Sequence, residues 1–354
     1  MAFIAIKIEW DGRLARQSVP KMTGETPVPL SYRQPILIGM KAMLCPRQDN
    51  RMIFLDTLHL GRAHVIGTAV LDLGDGNTAL VDCGPANVFP ALVDGLKRLG
   101  LDPSRVQHVL LTHIHLDHAG GAWRWQREFG TRVSVHPRGT AHLIDPQRLV
   151  ASATRIYGDR MTELWGEINP IPDSAVYATG DGERLKLGSR LVEVLETPGH
   201  AQHHNAYYLP HENLIFAGDL AGVKIDAGPV LPPCPPPDIN IESWLNSLER
   251  VEALQPSSLC LTHFGEVRDP AAHLKELRQR LLRWAEWMRA ELRNQRTEPE
   301  LIQDFQNLTA AELAKAPIAD AVREAYEQAD PATMSVAGLR RYWEKFHPEL
   351  LSAD

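Results

Sequence analysis

The sequence predicts an α/β fold followed by a purely helical C-terminal region. Between residue 53 and about residue 268, short apolar runs typical of strands alternate with stretches of helical periodicity. After His263, apolar residues recur only at helical spacing on one face of a long helix, at Leu274, Leu277, Leu281, Ala285, Met288 and Leu292. The 354 residues, 44% of them hydrophobic, allow one large domain or two smaller ones with a sizeable core.

The first 51 residues are weakly patterned and contain scattered prolines. We expect a weakly structured extension, in which residues 36–40 form either an edge strand or part of a disordered lead. A later methionine is an alternative start of the natural chain, and the candidates are Met40, Met43 and Met52.

The regular fold is expected to begin near Ile53 with a β-hairpin, in which strands 64–73 and 78–82 flank the turn residues 74–77. A helix over 87–99 follows, with Asn87 as its N-cap and Gly100 after its end. For 148–180 we favour an amphipathic helix packed on the core over a lid. The remaining predicted elements are strands ending at 112 and covering 131–135, 185–187, 191–195, 206–209 and 213–216, and helices over 121–129 and 241–254.

Residues 112–121, Thr-His-Ile-His-Leu-Asp-His-Ala-Gly-Gly, are the most informative segment of the chain. They directly follow the apolar run 109–111, which predicts a buried strand. Imidazole and carboxylate groups delivered together at a strand end are typical ligands of zinc and similar metals. The pattern HxHxDH arises by chance in roughly one such chain per thousand. The ligand types in the segment are His113, His115, Asp117 and His118.

Three later strand-like runs end in the same way. His200 follows residues 191–195, Asp219 follows 214–216, and His263 follows 259–261. Because each apolar run finishes in a side chain that binds metals, unrelated coincidence is a poor explanation. Together with the first segment, these strand ends predict a single metal site.

This order of motifs resembles the metallo-β-lactamase fold superfamily, in its hydrolase branch near glyoxalase II and the lactonases, over about residues 53–268. The resemblance implies an αββα sandwich with a C-terminal helical extension. The implied organisation is an extension over 1–51, a metallo-β-lactamase-like domain over 52–268 and a helical region over 269–354.

The resemblance also implies two divalent metal ions, with zinc favoured and iron or manganese as alternatives. A hydroxide bridging the two ions would attack an ester, thioester or lactone of a small molecule. Asp117 would also carry a proton to the leaving group. The implied ligands are His113, His115 and His200 for one metal, Asp117, His118 and His263 for the other, and Asp219 as the bridge.

Asp82 ends the return strand of the hairpin. The resemblance suggests that it orients a ligand histidine from outside the site, and an ordinary aspartate in a turn is an equal alternative. His203 and His204 follow His200 closely and are expected to support the ligands rather than to bind metal. His136 and His142 are expected to be structural or surface residues.

The sequence departs from the nearest branches of the family. Asp219 stands where one class of zinc β-lactamases has a cysteine, and the segment after it lacks the cysteine and arginine signature of glyoxalase II. Residues 262–266, Thr-His-Phe-Gly-Glu, replace that family's His-Glu-Tyr pattern, so glutathione thioesters are disfavoured. Three alternatives stay open: a persulfide dioxygenase-like enzyme with one iron, an RNase Z-like phosphodiesterase, and a metal-binding sensor without catalysis.

Composition excludes several other classes of protein. The net charge of −7 argues against a dedicated nucleic-acid binder. Four cysteines without a CxxC pair predict reduced thiols and a cytoplasmic location, and no apolar run is long enough for a membrane span. The proline-rich residues 228–237 predict a rigid, extended loop at the rim of the pocket. A homodimer formed through the C-terminal helices is compatible with the pattern.

Overall fold

The structure, a computed structural model, describes residues 42–44 and 52–351. The predicted edge strand at 36–40 lies outside these residues. The first sheet contains β1 (Ala42–Leu44), β2 (Met52–Asp56), β3 (Gly67–Gly74), β4 (Asn77–Val81), β5 (Val106–Leu110), β6 (Arg132–Val135) and β7 (Val176–Ala178). The second sheet contains β8 (Arg184–Leu187), β9 (Arg190–Glu196), β10 (Asn205–Leu209), β11 (Leu214–Phe216), β12 (Ser258–Leu261) and β13 (Gly265–Val267).

Helices cover the outer faces of both sheets. Those that follow strands of the first sheet are α1 (Phe89–Arg98), α2 (Leu116–Ala119), α3 (Ala122–Phe129), α4 (Pro137–Ile144), α5 (Gln147–Tyr157) and α6 (Met161–Trp165). The others are α7 (Ile241–Ala253), α8 (Pro270–Arg293), α9 (Glu298–Leu313), α10 (Asp320–Ala329) and α11 (Ala332–Phe346). Among the described residues, no helix combines the length and the apolar character that a membrane crossing requires.

The strand order follows the chain in both sheets. In the first sheet, β1 to β4 pair antiparallel and β4 to β7 pair parallel. In the second, neighbouring strands are antiparallel except for β11 and β12. A parallel pair needs a crossover connection, and α7 lies in the connection between β11 and β12.

Alternation along the strands builds three apolar layers. In β4, Leu80 packs towards α1 and α3, whereas Ala79 and Val81 face the second sheet. In β11, Ile215 packs towards the helices, whereas Phe216 faces the first sheet. Two sheets packed face to face between layers of helices form the αββα sandwich, so the predicted fold class is confirmed.

The C-terminal helices share their apolar core with the second sheet. Leu277 and Trp284 of α8 lie in the same buried cluster as Leu261 of β12, and α9 to α11 extend that cluster. Replacing a buried tryptophan such as Trp284 with alanine typically costs about 3–5 kcal/mol. These helices therefore form part of the outer layer over the second sheet.

Local predictions failed where a tertiary contact outweighed a local preference. The helix expected from Asn87 begins at Phe89, and the predicted Asn87 cap is wrong, because the Asn87 amide donates to the carbonyls of Glu163 and Leu164. The strand expected from His64 begins at Gly67, since His64 has a positive φ of 61°. Gly100 ends the helix as predicted, with a φ of 74°.

Residues 148–180 differ from the single amphipathic helix that was favoured. They form most of α5, then α6 and β7, and Ala153 is the one buried residue of α5. The two short helices therefore pack loosely on the core. The described cysteines, Cys83, Cys234 and Cys260, are all buried.

Candidate metal centre

The HxHxDH segment lies in the loop between β5 and α3. The backbone N–H groups of His118 and Ala119 donate to the carbonyl of His115, which fixes one helical turn directly after it. The two glycines that end the segment pack against backbone. A Cβ on Gly120 would lie 2.5 Å from the Leu116 carbonyl oxygen, and one on Gly121 would lie 3.1 Å from that of Cys83. The two glycines therefore let this loop pack closely against itself and against the backbone that follows β4.

Three imidazole nitrogens form a first group of donors. Nε2 of His113 lies 2.9 Å from Nδ1 of His115, and Nε2 of His200 lies 3.0 Å from the same Nδ1. Tetrahedral zinc–imidazole geometry places neighbouring nitrogens about 3.4 Å apart. His200 lies in the loop after β9, so this group joins the two sheets.

A second group lies beside the first. Nε2 of His118 and Nε2 of His263 are 3.3 Å apart. Oδ2 of Asp117 lies 3.6 Å from the His118 nitrogen and 3.4 Å from the His263 nitrogen. His263 follows β12, so this group also takes side chains from both sheets.

Asp219 lies between the two groups and faces both. Its Oδ1 lies 3.3 Å from Nε2 of His118 and 3.5 Å from Nε2 of His263. Its Oδ2 lies 3.4 Å from Nε2 of His200. Oδ1 is buried without a hydrogen-bond partner. A buried carboxylate oxygen left in that state is costly, and a cation between the donors would satisfy it. The residues present therefore fit two metal ions.

Hydrogen bonds from the opposite ring nitrogen hold three of the histidines. Nδ1 of His118 donates to Oδ2 of Asp82 at 2.7 Å, and Nδ1 of His200 donates to the Pro233 carbonyl at 2.9 Å. Nδ1 of His263 donates to the carbonyl of Val65. Each bond places a proton on Nδ1 and turns Nε2, the nitrogen that would bind a metal, towards the donor group.

Asp82 binds both strand ends of the site. Its side chain is fully buried and its φ is 53°. Besides His118, it accepts hydrogen bonds from the Thr112 N–H at 2.8 Å and from the Thr262 hydroxyl at 2.8 Å. Thr112 and Thr262 each precede a histidine of the two groups. This geometry favours the orienting role over an ordinary turn aspartate.

His203 and His204 lie next to the first group but are bound differently. His204 donates from Nδ1 to the Thr197 hydroxyl at 2.8 Å, and its Nε2 accepts from the Leu220 N–H at 3.4 Å. Both nitrogens of His204 are therefore occupied by protein groups. The His203 ring stacks on that of His113 with centroids 6.1 Å apart, and its buried Nδ1 has no partner.

Burial and charge set the protonation of the two groups. Burial lowers the pKa of His113 and of His200, and it lowers the pKa of His115 to about 3. These rings are thus neutral, as metal ligands must be. Burial also opposes charge on His118, but the carboxylates of Asp219, Asp82 and Asp117 outweigh it and raise the His118 pKa well above its usual range.

The two carboxylates of the groups are held ionised. Burial alone would raise the pKa of Asp219 and of Asp117, but the facing histidines, His118 first, lower both. The Asp117 side chain is the more open of the two, at 21% exposure against 5% for Asp219. Asp117 is therefore the ionised group that an incoming molecule can reach.

An aromatic wall beside Asp117 was not predicted as part of the site. It consists of His59, Tyr157 and Trp165. The His59 and Trp165 rings are nearly parallel with centroids 5.7 Å apart, and Tyr157 packs on Trp165 edge to face at 5.2 Å. Burial lowers the pKa of His59 to about 4, and the Asp117 charge opposes this shift. His59 carries no motif, so only tertiary structure could reveal its position.

His136, which was expected to be a structural or surface residue, has a structural role. His136 is buried, donates from Nε2 to Glu196 at 2.9 Å and accepts at Nδ1 from the Arg138 N–H. The proline-rich loop is also more buried than a rim requires, since Val230, Leu231 and Cys234 are all buried. It reaches the site through the Pro233 carbonyl.

One protein family and several known proteins match this chain. The family described as the Metallo-beta-lactamase superfamily matches residues 64–263, more than half of the chain. The metallo-beta-lactamase fold-containing protein ST1585 of Sulfurisphaera tokodaii is 26% identical over 60% of this chain and 78% of its own length. Hydroxyacylglutathione hydrolase of Rhizobium meliloti is 28% identical over 46% of this chain and 50% of its own length. The chain thus spans about half the length of that hydrolase.

A third relative extends further along the chain. Atrochrysone carboxyl ACP thioesterase of Aspergillus fumigatus is 24% identical over 77% of this chain and 56% of its own length. Among solved structures, ST1585 superposes with a TM-score of 0.52 at 25% identity, covering 61% of this chain and 80% of that one. The metallo-beta-lactamase family protein TTHA1429 of Thermus thermophilus superposes with a TM-score of 0.56 at 24% identity, covering 80% and 89%. The second superposition supports the fold alone.

Proposed function

The chain belongs to the metallo-beta-lactamase superfamily, and on that premise we propose that it is a binuclear metal-dependent hydrolase acting on an ester, thioester or lactone of a small molecule. The observation that carries this proposal is the position of Asp219. One of its carboxylate oxygens faces His118 and His263, and the other faces His200. A carboxylate shared in this way fits a pair of metal ions.

The donor atoms suit two divalent cations. Nitrogen and carboxylate ligands accept zinc, and they also accept iron or manganese. Bound cations of this kind lower the pKa of a water molecule and polarise a substrate carbonyl oxygen. The proposed ligands are His113, His115 and His200 for one ion, Asp117, His118 and His263 for the other, and Asp219 for both.

Asp117 is the residue proposed to move a proton. Its carboxylate is ionised, and the proposal is that it receives a proton from the attacking water during the reaction. It is also the most exposed of the proposed ligand carboxylates, which allows it to pass that proton to a leaving group. No serine or cysteine nucleophile is required.

Asp82, Pro233 and Val65 are proposed to orient the ligand histidines by accepting their Nδ1 protons. The proposed substrate has an apolar or planar part that contacts the aromatic wall, since the paired rings of Trp165 and Tyr157 lie near Asp117. The names of two relatives, a hydroxyacylglutathione hydrolase and an ACP thioesterase, support hydrolysis at a carbonyl carbon.

The test is metal content per chain by plasma mass spectrometry, combined with a panel of thioester, lactone and phosphodiester substrates. We expect close to two divalent ions and turnover of a carbonyl ester that a chelator abolishes and added metal restores. A single iron with oxygen uptake and no hydrolysis would replace this proposal with the dioxygenase alternative. Cleavage of phosphodiesters alone would indicate a nuclease, and full metal without turnover would indicate a sensor.

A further inference from the structure

We propose that the C-terminal helices position the metal ligand His200 through a hydrogen-bonded relay from Asp330 and Ser335 to the proline-rich loop. This inference rests on the proposed role of His200 as a metal ligand, and it gives the C-terminal helical region a function in the site. Ser335 lies on α11, and Asp330 lies between α10 and α11.

The relay begins at the ligand itself. The His200 Nδ1 proton is held by the Pro233 carbonyl at 2.9 Å. The next backbone group, the Cys234 N–H, donates to the Ser335 hydroxyl oxygen at 3.0 Å. That hydroxyl donates its own proton to Oδ1 of Asp330 at 2.7 Å. Two helices are thereby connected to the carbonyl that orients His200.

The sequence of the loop leaves no substitute for the hydrogen bond from the Cys234 N–H to Ser335. Residues 232–237 read Pro-Pro-Cys-Pro-Pro-Pro, and proline has no backbone N–H. Cys234 therefore carries the sole backbone donor in six consecutive residues, and Ser335 accepts from it. No neighbouring amide of this run can replace the bond if the hydroxyl is removed.

Packing places the same face of α11 on the loop at two more positions. A Cβ on Gly338 would lie 1.9 Å from the Cys234 carbonyl oxygen, so the helix contacts that backbone directly. Arg341 donates from Nε to the Pro237 carbonyl at 3.2 Å. Ser335, Gly338 and Arg341 recur at three-residue spacing, which puts them on one face of the helix. Ser335 and Cys234 are fully buried, so water does not compete for the relay.

The relay acts on one group of ligands. His118, in the other group, is held by the Asp82 carboxylate rather than by the proline-rich loop. Groups that orient a ligand from outside the site typically change metal affinity about 10–100-fold. Because Ser335 acts through one further residue, we expect a smaller change, about fivefold, in the affinity for the ion that His200 binds.

The experiment compares full-length variants loaded with zinc or cobalt. Ser335→Ala removes the acceptor of the Cys234 N–H. The matched control is Thr131→Ala, which removes another buried hydroxyl, one that donates to the Val106 carbonyl at the far end of β5. Chelator competition measures the affinity for each of the two ions, cobalt absorption reports ligand geometry, and thermal unfolding reports stability.

For Ser335→Ala we expect one of the two zinc affinities to fall about fivefold and the cobalt spectrum to change, with the other affinity unaltered. Thr131→Ala should lower the melting temperature without either effect. Asp330→Asn keeps an oxygen acceptor for Ser335 and should match the parent protein, whereas Asp330→Ala should share the selective loss. The Asp330 pair tests the relay even if Ser335→Ala does not fold.

Equal weakening of both ions, or parent-like affinities and spectra in Ser335→Ala and Asp330→Ala, would overturn the relay. A parent protein that binds no pair of ions would overturn it together with the metal-dependent function. A parent protein that holds two ions but hydrolyses nothing on the panel would end the hydrolase proposal alone, because the readout for the relay is ion affinity.

Discussion

The two sheets contribute to the candidate metal centre in different ways. The first sheet supplies four of the donor side chains from one loop after β5, within residues 113–118. The second supplies His200, Asp219 and His263 from three separate loops. The first contribution is local in the sequence, whereas the second depends on how distant loops pack.

The groups that accept hydrogen bonds from the histidines of the site also differ between the two sheets. His118 is held by the carboxylate of Asp82, a side chain that a single substitution removes. His200 and His263 are held by the backbone carbonyls of Pro233 and Val65. A carbonyl cannot be deleted by substitution, so the orientation of these two histidines depends on the contacts that fix the backbone. A side chain therefore orients His118 in the sheet-one half of the site. In the sheet-two half, backbone groups held by the surrounding fold orient His200 and His263.

The largest expected effect comes from the residue that joins the two halves. Asp219→Ala removes the carboxylate that faces both groups, so we expect loss of at least one ion per chain. We also expect a fall in turnover on the order of a thousandfold, about 4 kcal/mol in the barrier. Metal analysis and steady-state kinetics measure both, with the exposed Asp173→Ala as control. A variant that kept two ions and full turnover would show that Asp219 is no ligand.

Asp117→Asn tests the carboxylate of the sheet-one half. An amide cannot accept a proton as a carboxylate does, so we expect kcat to fall on the order of a hundredfold. Occupancy by the ion at His113, His115 and His200 should change little, because Asp117 does not belong to that group. The comparison of kcat with metal content separates the two effects. Equal losses of both would assign Asp117 to metal binding alone.

Asp82→Asn tests whether a side chain governs the sheet-one half. The substitution removes the charge that accepts the His118 Nδ1 proton, and we expect zinc affinity to fall about 10–100-fold. Chelator competition measures the affinity, and the loss of affinity should be larger than that of Ser335→Ala. If the serine variant lost more affinity than the aspartate variant, the contrast between the two halves would be reversed.

Local patterns predicted much of this molecule because they act over short distances. Three features could be predicted because each depends on residues that are close in the sequence. They are the HxHxDH loop, the hairpin turn and the apolar face of α8. The αββα fold class was implied by the order of the motifs. For the same reason, the sequence indicated that α8 to α11 would be helical but not what they contact.

Contacts between distant residues account for what could not be predicted. The role of Asp82 stayed open because His118, its partner, lies 36 positions away. His59 was missed since only packing brings it beside Trp165 and the Asp117 charge. The Asn87 cap failed because the carbonyls of α6 bind its amide. Ser335 reaches Cys234 across 101 positions, a pairing that no periodicity encodes.

The variant expected to affect the metal centre least tests how α8 supports the sheet-two half at low pH. His273 is buried and donates from Nε2 to the Ala221 carbonyl at 2.7 Å, two residues beyond Asp219. Burial, with a smaller contribution from Lys224, lowers the His273 pKa to about 4. In the unfolded chain the ordinary value of about 6.5 applies.

Between these two values the unfolded chain binds the additional proton, so the free energy of unfolding falls as the pH falls from about 6.5 to about 4. The contribution of neutral His273 to the free energy of unfolding is fully present above pH 6.5 and amounts to at most about 3 kcal/mol. His273→Gln keeps a donor for Ala221 but does not titrate, so its unfolding free energy should fall less over this window. Denaturant titrations at pH 7, 5.5 and 4.5 measure the difference, and the exposed His211→Gln should follow the parent protein. Because the ligand histidines titrate alike in all three proteins, a difference that stayed constant with pH would mean that His273 is not held neutral between α8 and the Asp219 loop.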